Sequence, residues 1–312
     1  MKFALPLAAA AALALVAASA DANTLRWARP QEALTLDPHS QNEGPTTTFL
    51  RQMYEPLIIR DMTGQLTPGL ATSWAPSPDD GTVWVFDIRQ GVTFHDGTPF
   101  TAEDAAFSIM RAKSENSNFK ELLVSIVEVE AVDDYTLHLR TDGPNPILPS
   151  NLTSTLMMSK AWAEANDVVE VQNFAAGEEN YAARNVNGTG AFILGERVPD
   201  SRTVLRQNPD YWGQGEFPLE ITELIMTPIQ NPATRVAALL SGEVDFIQEV
   251  PVQDLERIAS TPGIVLGNAP QNRTIFFGLN VEDTDLETDN VEGRNPFADI
   301  RVREAMNIAI NR

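Results

Sequence analysis

Apolar and polar positions change period several times along this chain, and each change marks an element. Residues 82–89 alternate, with Trp84, Phe86 and Ile88 on one side, the pattern of a half-buried strand. Residues 24–29 read as an earlier strand, followed by a loop over residues 30–45. Phe49, Leu50, Met53 and Leu57 fall at helical spacing and predict a helix over residues 46–57. Residues 67–74 read as a brief helical turn opened by Pro68, a residue suited to the first helical position. His95-Asp96-Gly97 predicts a tight turn, because Asp-Gly readily supplies positive φ. Thr101-Ala102-Glu103-Asp104 then has the form of a helix start, with a hydroxyl cap and acids facing the helix dipole.

That helix is expected to run to about Lys113. Residues 123–132 and 135–141 flank Asp133-Asp134 as a hairpin, and residues 144–165 hold short helical pieces. Residues 168–187 are polar and irregular, a crossing between domains. Beyond them, strands at residues 192–197, 203–207, 220–227, 244–248, 263–268 and 274–280 mix with helices at 232–241, 252–260 and 300–312. Helices alternating with strands predict a βαβ-type sheet.

The first 22 residues stand outside this pattern. Lys2 precedes an Ala/Leu-rich run, and Ala18-Ser19-Ala20 and Ala20-Asp21-Ala22 both place small residues at cleavage spacing. That is the form of a cleavable secretory signal peptide, with a mature start near Asp21 or Asn23. The chain has no cysteine, so neither a disulfide nor a lipid on an N-terminal cysteine is available. A free protein in a bacterial periplasm is the expected setting. Its 312 residues suffice for two domains, and 43 acidic against 22 basic side chains leave a net charge of -21. Such an excess repels nucleic-acid phosphates and anionic lipid, which argues against both as partners.

Catalytic motifs are missing: no nucleophile elbow, phosphate-binding loop, dinucleotide fingerprint or zinc-protease helix occurs. Gly188-Thr189-Gly190-Ala191-Phe192 is the nearest Gly-rich stretch, and it leads into a strand as a tight turn. His39, His95 and His138 are too far apart for a local metal site, so no metal and no cofactor is expected. Asp79-Asp80, Asp133-Asp134 and Glu178-Glu179 could serve acid/base hydrolysis, but each adjoins turn residues where solvation explains it better. Phe119, alone in the polar run 114–120, suits either a ligand contact or a cap on the edge of a core.

Several ordered motifs remain. They are Leu36-Asp37-Pro38-His39, Met53-Tyr54-Glu55-Pro56-Leu57, Pro68-Gly69-Leu70-Ala71-Thr72-Ser73-Trp74, Trp84-Val85-Phe86-Asp87-Ile88-Arg89 and the run from Phe94 to Asp104. Further on come the Gly188 turn, Asn208-Pro209-Asp210-Tyr211-Trp212, Leu240-Ser241-Gly242-Glu243-Val244-Asp245 and Arg301-Val302-Arg303-Glu304-Ala305-Met306-Asn307. In this order they resemble the extracellular solute-binding proteins of the peptide/nickel family, the ligand-capturing subunits of ABC importers. Ala191 stands where the family usually has Pro.

The resemblance implies an α/β, periplasmic-binding-protein-like fold of type II with an extra inserted domain. Its two lobes close over a ligand by hinge motion, and a permease in the inner membrane recognises the closed form. Residues 23–45 and 186–270 would form a discontinuous domain of the first lobe, and residues 46–185 the inserted domain. Residues 271–312 would open a second lobe, with the chain stopping inside it. The loop Gln41-Asn42-Glu43-Gly44-Pro45-Thr46 matches the loop that borders the cleft, where backbone groups can pair with an extended peptide. Glu43 there suits either a ligand amine or solvent. Asn116 and Phe119 match a second cleft-lining loop. Neutral Gln41, Thr46 and Asn116, with no Arg between Arg140 and Arg184, argue against a nickel chelate. The expectation is a monomeric, non-enzymatic binder of short peptides. An oligosaccharide, opine-like or metal-chelate binder, and an exported hydrolase using an acid pair, are its rivals.

Overall fold

The structure, a computed structural model, describes residues 23–269, 275–282, 286 and 293–310. The expected signal peptide lies outside the described residues. The chain divides into two compact units, one up to Ile264 and one from Val265.

In chain order the first unit contains β1 (Thr24–Arg29), α1 (Gly44–Leu50), β2 (Ile58–Arg60), β3 (Leu66–Pro68), β4 (Ala71–Pro76) and β5 (Val83–Ile88). It continues with α2 (Ala102–Ala112), β6 (Ile126–Asp133), β7 (Thr136–Thr141), α3 (Leu148–Leu152) and α4 (Lys160–Ala165). Last come β8 (Phe192–Val198), β9 (Arg202–Gln207), β10 (Glu223–Pro228), α5 (Pro232–Leu240), β11 (Phe246–Ile247) and α6 (Leu255–Ala259). The second unit holds α7 (Ile300–Ala309).

One sheet has five strands in the order β11-β1-β10-β9-β8. In it β1 runs parallel to both neighbours, while β10, β9 and β8 are antiparallel in turn. The carboxyl ends of β1, β10 and β11 therefore share one edge. A second, antiparallel sheet has the order β4-β5-β7-β6. α2 covers it, burying Ala105, Ile109 and Ala112 in one cluster with Phe86, Leu137 and Leu139. Each large side chain buried there stabilises the fold by about 1.5–3 kcal/mol.

The alternation of residues 82–89 becomes β5, with Phe86 and Ile88 buried and Asp87 exposed. The turn at Gly97 has φ +83°, and the hairpin across Asp133-Asp134 forms as expected. Three expectations are corrected. The helix predicted over residues 46–57 is α1, which starts at Gly44 and ends at Leu50; turn bonds carry the chain on to Tyr54, and Pro56, which disfavours helical backbone at Glu55, keeps a helix from reaching Leu57. The turn predicted over residues 67–74 is extended: Ile58 pairs with Pro68, and β4 pairs with β5. Residues 263–268 and the described residues 275–280 form no strand.

α2 shows how a local signal is cashed in tertiary structure. The Asp104 carboxylate accepts Thr101 N and Thr101 Oγ1, each at 3.0 Å, and Lys160 N at 2.9 Å, so it closes the helix start and anchors the turn before α4. Asp104→Ala would leave two backbone donors without their acceptor. We expect a loss of about 2 kcal/mol in urea unfolding, compared with a few tenths for the neighbouring exposed Glu103→Ala.

Candidate functional site

The Leu36-Asp37-Pro38-His39 motif is buried and acts as a clamp. Asp37 Oδ1 accepts Arg111 Nη1 at 2.6 Å and His39 N at 3.1 Å. Its Oδ2 accepts Arg111 Nη2 at 2.7 Å and Gln172 N at 3.0 Å. Arg111, brought in by α2, also donates Nε to Val168 O and Nη2 to Glu170 O, both at 3.0 Å. The remaining Nη1 contact is to His39 Nδ1 at 3.0 Å, and His39 Nε2 lies 2.8 Å from Leu156 O. A ring that accepts from a guanidinium on one side and faces a carbonyl on the other is neutral with its proton on Nε2. Burial, helped by Arg111, pushes His39 down to about 4. The Asp37 carboxyl is held below its usual range by its hydrogen bond and charge pairing with Arg111, against the opposing effect of burial.

This clamp carries the two loops singled out by sequence. Ser40 Oγ donates to Gln172 O at 3.3 Å, and Gln41 Nε2 donates to Ser40 O at 3.0 Å. Asn116 Nδ2 donates to Val171 O at 3.4 Å. Both loops thus reach successive residues of the segment that Arg111 and Asp37 hold. Asn42, Gly44 and Asn116 are exposed, and Gln41 is half-buried.

Of the remaining candidate residues Thr46 and Phe119 are buried and Glu43 is half-buried. Glu43 caps α1, its Oε1 accepting Thr46 N at 2.7 Å, a role different from both a ligand amine partner and a free surface acid. Thr46 is fully buried, and its Oγ1 accepts Leu34 N at 2.9 Å. Of the two readings of Phe119, a ligand contact or a cap on the edge of a core, the structure bears out the second: the ring is 1% exposed and sits in the core under α2. Ser117 Oγ accepts Phe119 N at 3.0 Å and turns the chain so that the ring points inward.

A second convergence joins six of the other motifs. Glu55, 8% exposed, accepts Tyr211 Oη at 2.9 Å, and Thr189 Oγ1 and Trp212 Nε1 at 2.8 Å each. Arg89 lies 4.3 Å from the Trp212 ring centre and donates Nε to Gly69 O. A Cβ on Gly188 would stand 2.1 Å from Met53 O, and one on Gly190 2.7 Å from it, so these glycines permit the close backbone approach. His95 closes the same turn, with its N donating to Gly188 O at 2.8 Å. These contacts are framework.

The acid pairs lie in loops or at a strand end. Asp80 accepts Thr82 N and pairs with Arg140, Asp133 accepts Tyr135 N, and Glu179 pairs with Arg184. Among the described residues no group of three His, Asp or Glu side chains is placed to hold a metal ion, and no helix is long and apolar enough to cross a membrane.

Such a fold is that of the type II periplasmic binding proteins. The chain belongs to the bacterial extracellular solute-binding proteins, family 5 (middle), whose pattern matches residues 65–312. The periplasmic oligopeptide-binding protein OppA of Escherichia coli K12 is 27% identical, over 94% of this chain and 53% of its own length. The periplasmic binding protein DppA of Helicobacter pylori, solved with the peptide STSA, superposes with TM-score 0.67 at 26% identity, over 78% of this chain and 49% of its own. The binding protein AgaA of A. tumefaciens R10, solved with agropinic acid, gives TM-score 0.68 at 27% identity, over 77% of this chain and 46% of its own. The chain spans about half the length of the curated relatives it matches. The fold class read from the sequence, α/β of the type II periplasmic-binding kind, is that of these structures.

Proposed function

We propose that this chain belongs to a periplasmic, non-enzymatic subunit that captures short peptides and delivers them to an ABC permease in the inner membrane. The observation that carries this reading is the clamp: Asp37 and Arg111 fix one segment, residues 168–172, and loops from 40–44 and 114–118 both bind to it. Exposed Asn42, Gly44 and Asn116 then offer backbone and amide groups on a rigid support, which suits an extended main chain better than a particular side chain. Kinship with OppA and DppA, named for peptides, supports the same choice.

In this reading residues 23–45 and 186–270 form one domain of a first lobe, and residues 46–185 an insertion in it. Residues from 271 begin a second lobe, and the subunit works as a monomer. A cleavable signal peptide at residues 1–22 would deliver it to the periplasm without a lipid anchor.

Titration calorimetry against di- to pentapeptides tests the proposal. Saturable heat is expected for one length class, with Asn116→Ala weakening it about two- to tenfold. Absence of heat from every peptide overturns the peptide reading. Heat from agropinic acid in its place would favour an opine-like solute, the reading that kinship with AgaA supports.

A further inference from the structure

Resting on the reading of the chain as a solute-capturing protein, we infer that Arg29 is an anion anchor: the solute carries a carboxylate that pairs with this guanidinium at the carboxyl edge of β1, β10 and β11.

Arg29 ends β1, the strand between β10 and β11, both of which run parallel to it. In open α/β sheets, ligands lie outside the carboxyl ends of the strands, where neighbouring connections diverge. Three loops meet at that edge here. Ile229 N donates to Arg29 O at 2.8 Å, and Gln248 N donates to Ala28 O at 3.2 Å. Arg29 Nη1 donates to Pro45 O at 2.8 Å, inside the loop that sequence resemblance assigns to the cleft border.

Its hydrogen bonding sets Arg29 apart from the other arginines buried to the same degree. Arg29, Arg111 and Arg235 are 5%, 4% and 3% exposed. Arg111 has a bidentate carboxylate. Arg235 spends its donors on carbonyls: Nε to Gln248, Nη1 to Ile229 and Nη2 to Glu249 at 3.2, 2.7 and 3.0 Å. Arg29 Nε is buried with no partner, and among the described residues no carboxylate comes within ion-pair distance of it. Its guanidinium carbon lies 5.1 Å from the Trp27 ring centre, and Trp27 Nε1 is also buried without a partner. A buried cation without an anion is unfavourable, and a planar guanidinium fork matches a carboxylate in two parallel hydrogen bonds.

The surroundings narrow the class of anion. Glu43 and Glu249 lie beyond ion-pair distance but close enough to act on the guanidinium charge, and Glu43 is already committed to Thr46 N. Two acids nearby disfavour a dianion, so a singly charged carboxylate fits better than a phosphate. Glu249 also holds φ +58°, a costly conformation for a residue with a side chain, with its carbonyl gripped by Arg235. A peptide terminus and a free organic acid both present the required group.

The test uses the full chain labelled with 15N, following the Arg29 Nε–Hε resonance while sodium acetate, and separately neutral acetamide, is added. The resonance is assigned through bonds from the backbone and checked by its loss in Arg29→Lys, so the experiment does not depend on the variant folding. A saturable shift with acetate and none with acetamide is expected. No saturable shift with acetate, or an equal one with acetamide, overturns the inference whatever peptides do. Calorimetry with trialanine and its C-terminal amide then separates the sources. Binding of the acid about 10- to 100-fold tighter than the amide identifies a peptide carboxylate. An acetate shift without trialanine heat keeps Arg29 as anchor for another carboxylate-bearing solute and leaves the peptide reading to the wider peptide series. Equal affinity for trialanine and its amide overturns the anchor.

Discussion

Arg111→Met should destabilise the first unit by about 3–5 kcal/mol, a large share of the stability of any single domain. The side chains of Arg111 and Asp37 are 1% and 0% exposed, so the substitution strands a carboxylate where water cannot reach it. It also removes the donors to the carbonyls of Val168 and Glu170 and leaves His39 Nδ1 without its donor. Asp37→Leu alone should be comparably harmful, because it strands the guanidinium. The double variant should cost much less than the sum of the two, since neither charge is then buried alone. Urea unfolding of the four proteins measures this. An additive double variant would show that the pair is not the coupled unit described above. Any solute binding should fall with Arg111→Met as well, since the clamp holds the segment to which both loops are bonded.

What the sequence made legible is local. The period-two run at residues 82–89 becomes β5, and the Asp-Gly pair becomes a turn, because neighbours along the chain decide both. Pro68 misled for the opposite reason: its extended conformation is set by pairing with Ile58, ten residues away across a hairpin. Phe119 stayed open between ligand and core because its polar run gives no period, and only Ser117, which turns the ring under α2, decides for the core. Glu43 had a readable signal, an acid just before Gly44-Pro45 with Pro in the first helical turn. Starting the helix at Thr46 concealed it.

The motifs behave differently again. Nothing in the spacing of Met53–Leu57, Gly188–Phe192 and Asn208–Trp212 announces that Glu55 will accept hydrogen bonds from Thr189, Tyr211 and Trp212. Their order identified a family because they hold one framework together, and for that reason they say little about the solute. Arg29 carries no motif at all. Its interest comes from a missing partner, which only a three-dimensional structure can reveal.

Acid should weaken the fold well before its carboxylates are fully protonated. Burial, with Arg111 facing the ring, pushes His39 down to about 4 in the folded chain against an ordinary value near 6.5. Between those values the unfolded chain binds a proton that the folded chain refuses, so stability rises with pH through the window. The contribution is complete above about 6.5 and declines by about 3 kcal/mol as the pH falls to about 4. His95, also pushed down to about 4 by burial, acts in the same direction. Asp37 extends the loss to lower pH, since its pairing with Arg111 stabilises the fold above the unfolded carboxylate range and is lost as the pH falls through its depressed folded value. Glu55 and Asp104, both raised by burial, oppose the trend, because protonation favours their folded forms. With two histidines acting over the whole window, the net slope should remain positive. Urea midpoints between about pH 4.5 and 7.5 should therefore rise steadily for the natural sequence, and His39→Gln should remove about half of that rise. A flat profile in the natural sequence, or an unchanged slope in the variant, would mean that His39 is not the neutral, carbonyl-bound ring the clamp requires.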